Sequence, residues 1–162
     1  MISGMIIIGY PCIGKTFTAD ISNGVIDLES SYFNNGNPKW YESYVSVAQD
    51  LASQGYTVLV SSHSNVVHSL KMSVHPYIPV VVFCPALEFK EDWIERAKNR
   101  FEKSKLGKDE RAYKRIKEHF EEDINALVNS GFEVHYLDNC SFYLYDSIIY
   151  ERDRLKVRFP DE

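Results

Sequence analysis

Short apolar runs alternate along this chain with longer stretches whose apolar positions recur every three to four residues. The runs are Met5-Ile6-Ile7-Ile8, Val25-Ile26-Asp27-Leu28, Thr57 to Ser62, Pro79 to Cys84, and Phe132 to Leu137. Each is short, rich in β-branched or aromatic residues and bounded by turn formers, which predicts five strands. The fourth is the most hydrophobic, as expected of a central parallel strand covered on both faces. Helical spacing predicts a helix starting at Gly14 and another from near Trp40 to Ser53. The second carries Tyr44, Val45, Ala48 and Leu51 on one face and has Gly55 as its stop. A short helix follows over about Asn65 to Met72. From Leu87 the pattern stays helical for about forty residues, broken at Gly107. Trp93, Ile94, Ala97 and Phe101 keep the spacing before the break, and Tyr113, Ile116, Phe120, Ile124 and Leu127 keep it after. Ser141 to Tyr150 is expected to form a closing helix and Glu151 to Glu162 a frayed charged tail. Strand and helix in alternation predict an α/β domain with a mostly parallel sheet. Residues 1–162 show no repeat, low-complexity tract or linker that would divide it.

Composition narrows the class. A chain of 162 residues with 44% apolar and 25% charged side chains suits one soluble globular domain. The net charge of −5 argues weakly against broad nucleic-acid binding, although a local basic patch keeps that open. No apolar run nears the roughly 20 residues that span a bilayer, and no signal peptide is expected at the start. Cys12, Cys84 and Cys140 are odd in number and widely spaced, so they read as reduced thiols of a cytoplasmic protein. The histidines form no zinc-like cluster.

One motif carries specific chemistry. Gly9-Tyr10-Pro11-Cys12-Ile13-Gly14-Lys15-Thr16 spells G-x-x-x-x-G-K-T, placed between a strand and a helix start. The glycines let the backbone curl so that successive amides point at a phosphate. Lys15 is expected to bridge the outer phosphates, and the Thr16 hydroxyl to hold Mg²⁺. Cys12 is expected to offer only its backbone N–H. The motif implies binding of a nucleoside triphosphate. Other candidates follow from strand ends, where open α/β sheets bind ligands. Asp27 either orients or deprotonates an acceptor, or holds a Mg²⁺-bound water, or merely caps a turn. Glu29 and Ser30 share its location, and Ser62 and His63 end the third strand. Tyr32, Phe33, Trp40, Tyr41 and Tyr44 cluster around an Asn/Gly-rich loop, as a stacking pocket for a base or as packing for the helix. Lys98 to Arg115 is strongly basic. That is either a solvated face with i,i+4 partners such as Glu110 and Lys114, or a hinged lid whose Arg96, Arg100, Arg111 and Arg115 meet phosphate.

With Gly9 to Thr16, Ile26 to Ser31, Val60 to His63 and Trp93 to Arg96 in hand, the chain resembles the nucleoside monophosphate kinase superfamily. It is closest to the small (deoxy)nucleotide kinases of phage genomes, which act in the host cytoplasm. The resemblance implies a three-layer fold with sheet order 2-3-1-4-5, a substrate-binding region over about 27–53 and a helical lid over about 96–116. It implies Mg²⁺-dependent transfer from ATP to a nucleoside or deoxynucleoside monophosphate. In that scheme Lys15, Asp27, Arg100 and Arg111 are catalytic, and Arg96 joins residues 9–16 on ATP. Asp27, Ser30, Phe33, Tyr41, Ser62, His63 and Arg115 meet the acceptor. The chain departs from the family where strand three ends Ser61-Ser62-His63 without an acidic residue, which raises Asp27 as the replacement that orders Mg²⁺ through water. The alternatives are a hydroxyl acceptor on a small metabolite or a modified DNA base, or a nucleotide-gated binding module with weak ATPase activity.

Overall fold

The computed structural model describes residues 4–15, 19, 24–73 and 75–137. Thr16, Cys140, the expected closing helix over 141–150 and the tail over 151–162 lie outside these residues, as does most of the helix expected after Gly14. The strands are β1 (Met5–Gly9), β2 (Val25–Asp27), β3 (Thr57–Ser61), β4 (Val80–Pro85) and β5 (Glu133–Leu137). They form one all-parallel sheet in the order β2-β3-β1-β4-β5, as the resemblance implied. The helices are α1 (Trp40–Ser53), α2 (Ser64–Met72), α3 (Lys90–Ser104) and α4 (Gly107–Val128). The α1 bounds coincide with those read from the apolar spacing.

Burial explains the strand compositions. Ile6, Ile7, Ile8, Val58, Leu59, Val60, Val82 and Phe83 are fully buried, so β1, β3 and β4 have no polar face to present. The register aligns Gly9 with Ser61 on one side and with Phe83 on the other. Asp27 stands beside Leu59, two residues short of that line. The loop after β1, the end of β2 and the end of β3 therefore meet along one edge of the sheet. Tyr44 of α1 braces that edge. Its hydroxyl donates to the Leu28 carbonyl at 2.6 Å and accepts from the Ser61 amide at 2.9 Å. Two strands that would splay where their ladder ends are thus joined by one buried phenol.

Helices α3 and α4 form a hairpin whose two halves differ. At the base, Trp93 and Ala97 of α3 and Ile116, Phe120, Ile124 and Leu127 of α4 are buried. Over 98–115 the one buried residue is charged Asp109. The break falls elsewhere than expected. Gly107 is the first residue of α4, while Lys105 takes the left-handed conformation (φ 59°) that ends α3 and Leu106 is extended. The reversal needs a positive φ one residue after the last turn of α3, and the sequence supplies lysine at that position. His119 also leaves helical dihedrals within α4 (φ −129°), at a point without proline or glycine.

Lysine in that conformation carries a steric cost that glycine avoids. Lys105→Gly is expected to stabilise the fold by about 1 kcal/mol or less, raising the melting temperature by about 2–4 °C. Differential scanning calorimetry of the two proteins measures this; a lower melting temperature in the variant would show that the turn draws no strain from Lys105.

Candidate functional site

The loop after β1 begins where its strand ends. The Tyr10 amide still donates to the Phe83 carbonyl of β4 at 3.1 Å, and the chain then leaves the sheet. Cys12 (φ 68°) and Gly14 (φ 93°) take positive φ on either side of Ile13, which does not. Backbone of alternating hand turns successive amides to one side and makes an anion-binding concavity. Gly9 serves for a different reason. A Cβ there would stand 2.6 Å from Ile13 Cδ1 and 3.0 Å from Lys15 Cδ, so a larger residue would make those two side chains shift from where they fold back over the strand end.

Lys15 folds back over the loop, its Nζ donating to the Gly9 carbonyl at 3.1 Å and the Tyr10 carbonyl at 3.5 Å. Burial lowers its pKa, while the Asp27 carboxylate favours the charged form. Asp27 is half-buried at the end of β2 and so lies within Coulomb reach of the loop lysine, as the strand-end argument expected. Glu29 acts on Lys15 more weakly, caps the turn over Ser30–Tyr32 through the Ser31 amide, and lies 4.0 Å from Lys108 at the start of α4.

Helix α3 closes the loop from the other side. Trp93 Nε1 donates to the Pro11 carbonyl and Arg96 Nη1 to the Cys12 carbonyl, both at 3.1 Å. The Arg96 guanidinium also lies over the Trp93 ring, 4.1 Å from its centroid. One turn on, Arg100 points Nη1 at the Cys12 sulfur (4.0 Å) and pairs through Nε with Asp109 at 3.1 Å. Asp109 accepts in addition from the Ser104 hydroxyl. Between α3 and the loop lies an open cavity of about 570 Å³, lined by Cys12, Gly14, Asp92, Arg96, Asn99 and Arg100 among others. Cys12 itself is buried, and that burial raises its thiol pKa despite Arg100 beside it, as suits a group with no thiolate role.

The structure brings together most of the residues expected at a phosphate site. Gly9 to Lys15, Arg96 and Arg100 share one pole of the sheet with Asp27. Ser30, Phe33, Tyr41, Ser62 and His63 surround the ends of β2 and β3: His63 packs edge-on against Trp40 (5.5 Å), bonds Ser61 Oγ through Nδ1 (2.8 Å), and has its pKa lowered by desolvation and by Lys15. Phe33 packs edge-on against Tyr44 at 5.2 Å. Two arginines stand apart. Arg111 is exposed with no ion pair among the described residues, and Arg115 makes a two-pronged contact with Asp123 at 2.6 and 2.8 Å. Arg115 is already occupied by a carboxylate on its own helix, so its expected contact with an acceptor would first break that pair. Among the described residues no group of three or more His, Cys, Asp or Glu could hold a metal ion. Asp27 and Ser62 nevertheless suit Mg²⁺, which is held mainly by phosphate oxygens and water with one or two protein oxygens.

Three contributors escaped the sequence reading: the Trp93 indole as a donor to the loop, the Tyr44 hydroxyl as a brace, and Asp109 as the partner of Arg100. The first was legible in principle, because positions 93, 96 and 100 share one helical face. No family model matches the chain, and no curated protein matches it.

Removing the Tyr44 hydroxyl leaves the Leu28 carbonyl and the Ser61 amide without that partner at a buried edge. Tyr44→Phe is expected to destabilise by about 1–3 kcal/mol. Urea unfolding should show a lower midpoint with an unchanged slope; an unshifted midpoint would mean that solvent takes over both bonds.

Proposed function

We propose that this chain is a P-loop phosphotransferase that moves the γ-phosphoryl group of ATP to a small acceptor. The observation that carries the reading is the loop itself: backbone of alternating hand at residues 12–14, Lys15 behind it, and the arginines of α3 against it. An amide concavity with a lysine and two guanidinium groups fits a polyphosphate and has no evident use in a bare scaffold. In-line phosphoryl transfer needs little else, because positioning and charge stabilisation do most of the work.

In this reading the amides of 12–15 cradle the β-phosphate, Lys15 exchanges its carbonyl partners for β- and γ-oxygens, and Arg96 and Arg100 face the triphosphate from α3. Mg²⁺, held through phosphate oxygens and the Thr16 hydroxyl with Asp27 reaching it only through a bound water, would neutralise charge developing on the transferred group. The 98–115 half of the hairpin is held by polar pairs rather than apolar burial, which suits a lid that opens at low cost. Arg111 would reach the reacting phosphates only as that lid closes. Nucleoside and deoxynucleoside monophosphates are the acceptors that the family resemblance implies. A second reading, a hydroxyl acceptor on the same frame, is favoured by the carboxylate that Asp27 holds near Lys15.

Lys15→Ala separates function from folding. Its lowered pKa means that the fold disfavours the charged amine, a cost present below the folded pKa and relieved as pH rises through it. Deleting the amine removes that cost along with two hydrogen bonds. The ligand-free variant should melt within about 3 °C of the parent or above it at pH 7. ATP binding by calorimetry and turnover with labelled ATP should both be lost. Undiminished turnover would remove Lys15 from the site and the reading with it.

The lid has its own test. Amide exchange over 98–115 should slow when an ATP analogue and an acceptor are both bound, because phosphates supply the countercharge that the hairpin lacks. Equal protection in both states would make the hairpin a rigid solvated pair.

A further inference from the structure

Charge is distributed unevenly around the loop. No arginine precedes Arg96 in the sequence, so the ends of β2 and β3 and the whole of α1 are built without one. Among the described residues 24–63 the charged side chains are the carboxylates of Asp27, Glu29, Glu42 and Asp50 and the ammonium group of Lys39, and Lys108 comes in from α4. Lys39 is exposed at the start of α1, and Lys108 arrives from α4 only to lie 4.0 Å from Glu29. Lys71, the remaining lysine of this half, donates to the Ser130 carbonyl at the opposite pole. His63 adds no charge at neutral pH, since desolvation and Lys15 hold its pKa below the usual value. Around the ends of β2 and β3 the described side chains are neutral and ring-bearing: Phe33 and Tyr41 half-buried, Trp40 and His63 in edge contact, with Ser30 and Ser62 beside them in the chain.

A monophosphate dianion is a poor guest for such a surface. Removing it from water demands cationic forks, and a carboxylate within reach of the loop lysine would repel it. Its phosphate oxygens are already ionised, so it needs no base. An alcohol differs on both counts. It brings no charge for Asp27 to repel, and its proton must go to a base as the oxygen becomes a nucleophile.

Resting on the phosphotransferase reading, we infer that the acceptor is an uncharged nucleoside rather than its monophosphate, bound by its ring among Phe33, Tyr41 and His63 with its hydroxyl beside Asp27. The acceptor oxygen bonds to the γ-phosphorus as the bond from that phosphorus to the β–γ bridging oxygen breaks. ADP leaves with the electron pair, and the hydroxyl proton passes to the Asp27 carboxylate and then to solvent. Asp27 is thereby the proton acceptor of the reaction, and the lack of arginine among the described residues before Arg96 is a specificity device: the site excludes the product of its own reaction from acting as the next acceptor.

The test uses the full chain with Mg²⁺ and γ-labelled ATP, offering each common deoxynucleoside and its 5′-monophosphate separately. Label should appear on free nucleosides and exceed that on the matching monophosphates by about tenfold or more. Calorimetry on the complex with a non-hydrolysable ATP analogue measures both affinities for each pair, so a slow reaction still decides the matter. The nucleoside should bind more tightly than its monophosphate. Asp27→Asn should abolish transfer to nucleosides while narrowing the affinity gap, a combination that a turn-capping aspartate would not produce. Tighter binding or faster labelling of a monophosphate, above all if lost in Arg111→Ala, overturns the inference and leaves the phosphotransferase reading intact. Failure of every nucleoside to bind also overturns it. Failure of the parent protein to bind the ATP analogue defeats the underlying reading, and the inference falls with it.

Discussion

A loop that turns its amides toward an anion must send carbonyls the other way, and those carbonyls need donors. In this protein that requirement organises the pole of the sheet where the loop lies. The Pro11 and Cys12 carbonyls are met by the Trp93 indole and the Arg96 guanidinium, and those of Gly9 and Tyr10 by Lys15. Each donor serves twice. Trp93 is also a fully buried member of the core, so the loop is fastened to the packing of α3. Arg96 gives one nitrogen to the loop, lies over the Trp93 ring and lines the cavity. Unmet, such carbonyls at a half-buried loop would each cost about 1–3 kcal/mol, enough to make the turn collapse or fray.

The hairpin of α3 and α4 follows from the same economy of contacts. Its base is an apolar seam continuous with the sheet, and its outer half has exchanged that seam for ion pairs. Asp109 is the critical element, a buried carboxylate satisfied by Arg100 and Ser104. Breaking such a pair by removing one partner strands the other, whereas the intact pair adds little net stability. The outer hairpin is thus specific in geometry but shallow in energy.

How much of this was legible in the sequence depended on which signal carried it. Apolar periodicity gave the five strands and the helices α1 to α4, with α1 closely placed, because burial on one face is a property of each segment alone. The sheet order came from the resemblance and agrees with the structure, since periodicity says nothing of which strands are neighbours. Asp27 near the loop followed from the rule that strand ends carry ligands. Asp109 was invisible because periodicity tracks apolar residues, and a buried carboxylate within a basic run reads as one more surface charge. Gly107 was taken for the break and Lys105 proved to be it, because a left-handed residue is set by the geometry of the reversal and glycine is only its commonest occupant. Arg115 looked like its neighbours in sequence, and only the fold brings Asp123 to it.

Lys15 shows how folding and chemistry compete at one position. Without phosphate its ammonium is half-hidden and bonded to the two carbonyls that the strand leaves behind, an arrangement burial disfavours and Asp27 partly relieves. A polyphosphate in the loop would offer better partners within a short swing of the same side chain. The gain on binding is then the difference between two sets of acceptors, ionised oxygens against neutral carbonyls. The carbonyls hold the amine in position over the loop. Bonds to neutral carbonyls are weaker than bonds to ionised oxygens, so an anion in the loop could displace them.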